Sequence, residues 1–181
     1  MKDYIWTIPL IAGILLLISW FTPAAYHKGI ESEEYFWMWG LWYTDSITSR
    51  SNTGFFLLEE PAKYMIPIFL SGIFSAIIIL IGSIVLIISA NSIRTGRKTT
   101  RDFASIWLGM SIIIFVAAII YIIGIDITLT NLAEWTMSLL PPDSYSVPDF
   151  WDFYDPGFAL IAPFLSGTLV IVGIAVSKYI S

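Results

Sequence analysis

The sequence has no cysteine, a single histidine (His27) and few charges: 13% of its 181 residues are Asp, Glu, Lys or Arg, where a soluble domain carries about 25%. Without cysteine, a disulfide framework, a thiolate metal site and a cysteine nucleophile are excluded. No Ser/His/Asp set, His-Glu-x-x-His helix or glycine-rich phosphate loop is present. The sequence therefore points to no enzyme activity, no cofactor and no metal centre. Aspartates Asp149, Asp152 and Asp155 recur every third residue, which misses the alternate-residue spacing of a calcium loop and reads as a solvated acidic rim. Four basic residues in one short connection beside an acidic remainder give nucleic acid nothing to bind.

What is present is apolar length: 57% of the residues are hydrophobic. Four uncharged runs, at about 4–22, 64–90, 103–125 and 157–176, each approach or exceed the roughly 20 residues that a helix needs to cross the hydrocarbon core. The first run also loosely fits a cleaved signal peptide, with Pro23-Ala24-Ala25 after it, but its apolar part is longer than a usual one. None of the four interiors holds Asp, Glu, Lys, Arg or His, and coupled transporters place such groups at mid-membrane. Ser71, Ser75, Ser83 and Ser111 would line a polar path or, more simply, bond to the preceding turn or to a neighbouring helix. Gly72 and Ala76 share a face on which a second helix would approach closely.

The connection 91–102 contains Arg94, Arg97, Lys98 and Arg101. By the positive-inside rule this short basic loop is cytoplasmic, and both termini lie on its side. The expected fold is an all-α membrane protein: one four-helix transmembrane bundle over 1–181, with a small extracellular β-layer from the first outer loop. The outer loops are 23–63 and 126–156, and they hold twelve of the fourteen acids. The expected location is the cell membrane, multi-pass.

The first outer loop carries three tryptophans in six residues, within Phe36-Trp37-Met38-Trp39-Gly40-Leu41-Trp42-Tyr43. As one strand, this stretch would place Trp37, Trp39, Leu41 and Tyr43 on one face and Phe36, Met38, Gly40 and Trp42 on the other. Such a strand must be covered on both sides. Residues 45–54 read as a turn, with a returning strand at 55–58. In the second outer loop, the stretch before Pro141-Pro142 extends the third span as an amphipathic helix, and Phe150, Trp151 and Phe153 then alternate with aspartates.

Trp20 near the end of the first span, followed about 20 residues later by Gly40-Leu41-Trp42, resembles the motif of the claudin-like tetraspan superfamily. Lys63 stands where that family tends to carry a basic residue at the start of its second span. The resemblance implies an antiparallel first-loop sheet joined by second-loop residues, and a protein acting through its outer loops in cell-surface contact or self-assembly. It also implies that Trp42, with Gly40 and Leu41, seats this sheet near Trp20. The remaining aromatics, Trp37, Trp39, Phe150, Trp151 and Phe153, are then interaction candidates. The family's two first-loop cysteines are missing, Asp45 falling about where the first would be, so packing alone must hold the loop. The expected partners are the lipid bilayer and identical copies or other membrane proteins. Two other functions fit the same chain: an accessory subunit of a larger membrane complex, and a cation-selective pore formed on oligomerisation, fed by the acidic outer surface.

Overall fold

In hydrocarbon a backbone can satisfy its polar groups only within helices or closed barrels, and each uncharged run has become helical. The structure, a computed structural model, describes residues 4–30, 32–46, 51–55, 62–138, 151 and 154–180. Its helices are α1 (Thr7–Phe21), α2 (Ala62–Arg94), α3 (Thr100–Ser138) and α4 (Phe158–Ile180). Three of them are long and apolar enough to cross a membrane, over Ile66–Arg94, Thr100–Thr128 and Phe158–Ser177. The fold is thus a membrane-embedded helical one with a small antiparallel sheet.

The first run differs from expectation. Its regular helix has 15 residues, short of the roughly 20 expected for a span. Pro9 explains part of this, since it has no N–H to give and is accommodated in the first turn. The chain before it is coiled in a tighter turn, with the Ile8 amide donating to the Ile5 carbonyl three residues back. At the other extreme α3 has 39 residues, about 58 Å at 1.5 Å each, and carries the expected third-span extension as far as Ser138.

Each helix packs against two neighbours in a square, α1 on α2 and α4, and α3 on α2 and α4. Small residues set the spacing, as expected where no hydrophobic gradient drives helices together. A side chain at Gly13 would press on Ile87 of α2, one at Gly82 on Ile114 of α3, and one at Gly167 on the Phe115 ring. Serines stitch the same seams: Ser83 Oγ donates to the Gly13 carbonyl at 2.8 Å, Ser75 to Ala117 at 2.6 Å and Ser166 to Ala12 at 3.0 Å. Ser71 and Ser111 instead bond back to Ile68 and Trp107 in their own helices. All four serines weighed as a polar path therefore spend their hydroxyls on carbonyls. The core between the helices is built from Leu16, Ile79, Leu86, Trp107, Ile114, Tyr121 and Val170. Outward-facing Ile81, Ile84 and Ile88 on α2, and Ile112, Val116 and Ile119 on α3, are exposed, as lipid-facing residues would be.

One end of this square is covered by a five-stranded antiparallel sheet in the order β4-β3-β2-β1-β5. Its strands are β1 (Ala25–Lys28), β2 (Ser32–Phe36), β3 (Leu41–Ser46), β4 (Asn52–Phe55) and β5 (Asp155–Pro156). Four come from the segment between α1 and α2, and the fifth from just before α4. The segment 45–54, expected as a turn, gives strand residues at both of its ends. The returning strand begins earlier than expected, at Asn52, and residues 56–58 lie outside the described ones.

Candidate interaction surface

Tryptophan, methionine and tryptophan in succession give a chain no signal to turn, but Gly40 supplies one. Its φ is +93°, a conformation that costs glycine little and other residues about 1 kcal/mol or more. The Gly40 amide donates to the Trp37 carbonyl at 3.0 Å and the Trp37 amide to the Leu41 carbonyl at 2.8 Å, the pattern of a short hairpin loop closed by a left-handed residue. The tryptophan stretch is therefore not one strand. Phe36 ends β2, residues 37–40 reverse the chain, and Leu41 opens β3 opposite Phe55.

The reversal drives the hairpin into the bundle end. Met38 is 4% exposed and belongs to the same core cluster as Leu16 and Tyr121. Its carbonyl oxygen lies against Gly72 of α2 so closely that a Cβ there would overlap it, with the Tyr121 ring of α3 alongside. Gly72 thus makes room for a loop backbone, where the sequence suggested another helix.

The two flanking tryptophans cap α1. A helix ends with carbonyls that lack an intrahelical partner, and no basic residue stands in the last turn of α1 to serve them. Trp39 Nε1 donates to the Trp20 carbonyl at 3.0 Å, and Trp37 Nε1 donates to the Phe21 carbonyl at 3.0 Å. Trp39 also stacks on the Trp20 ring, centroids 5.8 Å apart and planes 18° from parallel. This corrects the expected division of labour. The contact with Trp20 belongs to Trp39, while Trp42 sits in β3 between Phe36 and Gly54 and packs its ring on the core. Trp37 and Trp39, expected to be available for contacts elsewhere, have their indole N–H groups engaged within the chain. Lys63 is the second residue of α2. Trp151 is half-buried against the core, and Phe150 and Phe153 lie outside the described residues.

Register divides the sheet into two faces. Ala25, Phe36 and Trp42 share the face toward the bundle, and His27, Glu34 and Thr44 continue it. Tyr154, beside β5, covers this continuation: its ring meets Phe36 at 5.2 Å and His27 at 5.8 Å, both edge-on, and its hydroxyl donates to the Glu34 carboxylate. Burial, and then Glu34, push the Tyr154 phenol well above the ordinary tyrosine range. The junction is closed by backbone bonds, from the Gly157 amide to the Ala24 carbonyl at 2.7 Å and from the Ala159 amide to the Pro23 carbonyl at 3.2 Å.

The opposite face presents a row of tyrosines. Tyr26, Tyr35 and Tyr43 stand directly across from one another on β1, β2 and β3, with ring centroids 6.5 and 6.2 Å apart. Trp37 extends the row, 6.3 Å from Tyr35. Lys28, Glu33 and Asp45 form a charged rim in the next register. The like charges of Glu33 and Asp45 would repel across that pair, and Lys28 offsets them, its pKa held above the ordinary lysine value by Tyr35 and then Glu33. Burial and the Asp45 carboxylate raise Tyr43 in turn. Among the described residues no group of acids and histidines is placed to hold a metal ion. Sequence reasoning did not find the tyrosine row, whose members are 9 and 8 residues apart; only a correct hairpin register brings them together. No family model and no curated protein sequence matches the chain.

Proposed function

We propose that this is a claudin-like four-span membrane protein that acts through its extracellular sheet, in contact with copies of itself on the same or an apposed membrane. The observation that carries this reading is the sheet: four first-loop strands closed by a second-loop strand, the arrangement that the Trp20 and Gly40-Leu41-Trp42 resemblance implies. In this reading α1, with the turn from Tyr4 before it, completes the fourth span. Arg94, Arg97, Lys98 and Arg101 hold the opposite end in the cytoplasm, and both termini lie there. The missing cysteine pair is compensated by packing: the turn at 37–40 pins the sheet from beneath, and Tyr154 closes it at the side.

The contact surface is the face away from the bundle. Tyrosine and tryptophan rings supply large rigid contact area at low entropic cost and dominate interface energetics. Trp39 and Trp42 are anchors of the sheet, so the informative substitution is elsewhere, at Tyr35→Ala with Tyr43→Ala. Self-association of the purified full chain, read by cross-linking in mild detergent and by clustering of vesicles that contain it, should weaken about 30-fold, the effect of losing about 2 kcal/mol at an interface centre. Membrane insertion and the far-ultraviolet circular dichroism should not change. Unaltered assembly in the double variant would refute the reading. A fixed heteromer in native mass measurements of gently extracted protein would replace it with the accessory-subunit function.

A further inference from the structure

At the end of the bundle away from the sheet, α2 and α3 are joined by only five residues, 95–99, and this turn is tied down from within. Gly96, at φ +71°, lets the chain reverse, and the Arg97 and Lys98 amides both donate to the Ser92 carbonyl, at 3.0 and 3.3 Å. Thr99 starts α3 with its amide and hydroxyl both donating to Asp102 Oδ2, at 2.8 and 2.9 Å. Asp102 is the one acid of this connection, and these bonds hold it on the turn's own backbone. Arg94, Arg97, Lys98 and Arg101 are all exposed, and among the described residues none of the four makes a salt bridge. The Arg94 guanidinium lies over the Trp6 ring, 5.2 Å from its centroid, so an interfacial aromatic holds one cation in place. Beneath the turn Trp107 is buried, stacked on Phe103, with its indole N–H on Ser89 Oγ at 2.8 Å.

Two helices whose uncharged runs end at about 90 and resume at about 103, joined by a five-residue turn, hold the residues between those runs at the depth of the headgroups. A rigid turn whose described residues set four cations against one carboxylate, Asp102, which faces Lys98 and already accepts from Thr99, carries an excess of positive charge complementary to one kind of molecule that is always present at that depth. We propose that the α2–α3 turn binds the headgroups of anionic phospholipids, through Arg97, Lys98 and Arg101 with Arg94 fixed beside them. Setting membrane orientation needs only net positive charge; this turn adds a fixed backbone and, among the described residues, cations in excess of its one carboxylate that make no salt bridge. The inference is independent of the claudin-like reading, since it concerns the other end of the molecule and holds on whichever side of the membrane that end lies.

The test is native mass spectrometry of the full chain in neutral detergent with equimolar phosphatidylcholine, phosphatidylserine and phosphatidylinositol bisphosphate. The anionic lipids should be retained over phosphatidylcholine, and added salt should release them. Each cation near the surface contributes about fivefold, so the variant Arg97→Gln, Lys98→Gln, Arg101→Gln should retain them about 100-fold less. Lys28→Gln, a charge removed from the sheet instead, should leave retention unchanged. All three altered side chains are exposed, and an unchanged melting temperature checks that the bundle is intact. Equal retention by the triple variant, or no preference for anionic lipid in the unaltered chain, would overturn the proposal. Retention of soluble inositol trisphosphate as strong as that of its lipid would also overturn it, and would assign the turn to free polyphosphates.

Discussion

The two indole N–H groups that end α1 show how one residue type does different work at neighbouring positions. Trp39 reaches the Trp20 carbonyl in a part-buried place, whereas the Trp37 bond to Phe21 is exposed. A buried acceptor that loses its partner carries the full desolvation cost, about 1–3 kcal/mol, while an exposed one recovers a bond from water. Trp39→Phe keeps a ring to stack on Trp20 and removes only the donor. It should therefore destabilise by about 1–3 kcal/mol, and Trp37→Phe by about 0.5 kcal/mol or less. Melting followed by circular dichroism in one detergent would rank them, and equal losses at both positions would contradict the capping role. That role was not legible in the sequence. Three tryptophans near a span end invite an interfacial reading that asks what the rings touch and not where their N–H groups point. The turn signal itself, Gly40 after Trp37-Met38-Trp39, was present and was outweighed by the strand-like composition around it.

Among the elements, β5 is the smallest and depends most on a side chain. It has two residues, one of them a proline that cannot donate to the ladder, so Tyr154 and the Gly157 amide do much of the fastening. Burial first, and the Glu34 carboxylate second, raise the Tyr154 pKa; His27 on β1 faces the same ring. The folded chain then holds this proton to higher pH than the unfolded chain does. The corresponding stability is fully present below the ordinary tyrosine value of about 10 and is lost as pH rises from there through the raised folded value. An absorbance titration of the unaltered chain minus that of Tyr154→Phe should show a phenol ionising above the ordinary tyrosine range, and second-loop cleavage by added protease should rise over the same window in the unaltered chain alone. A phenol at Tyr154 that titrates at the ordinary tyrosine value would remove the claim. The existence of the four helices was readable from uncharged length alone. The boundaries of α1, shortened near Pro9, and of α3, continued to Ser138 through sequence that is no longer uniformly apolar, depended on local hydrogen bonding that hydropathy does not register.

For the whole molecule, the question is whether sheet and bundle are two units or one, and the contact of Met38 with Gly72 decides it. The sequence placed Gly72 on a helix-packing face by the spacing of small residues, and the structure fills that space with loop backbone. No periodicity within α2 distinguishes the two, because the occupant arrives from residues 34 positions earlier in the chain. Two glycines in transmembrane helices then respond oppositely to the same substitution. Alanine is favoured over glycine in a helix interior by about 1 kcal/mol. At Gly109 of α3 nothing lies within 4 Å of the added carbon, so Gly109→Ala should be neutral or stabilising by up to about 1 kcal/mol. At Gly72 the added methyl overlaps the Met38 carbonyl, a backbone atom that cannot rotate away, and overpacking of this kind costs about 1–3 kcal/mol or more. Gly72→Ala should therefore lower the melting temperature, shift the tryptophan emission to longer wavelength as Trp37 and Trp39 leave the end of α1, and expose the first loop to protease. If the sheet were a separate unit resting on the bundle, the substitution would leave protease resistance in that loop unchanged. Loop cleavage in Gly72→Ala but not in Gly109→Ala would establish that a residue inside the membrane-embedded helices holds the sheet in place.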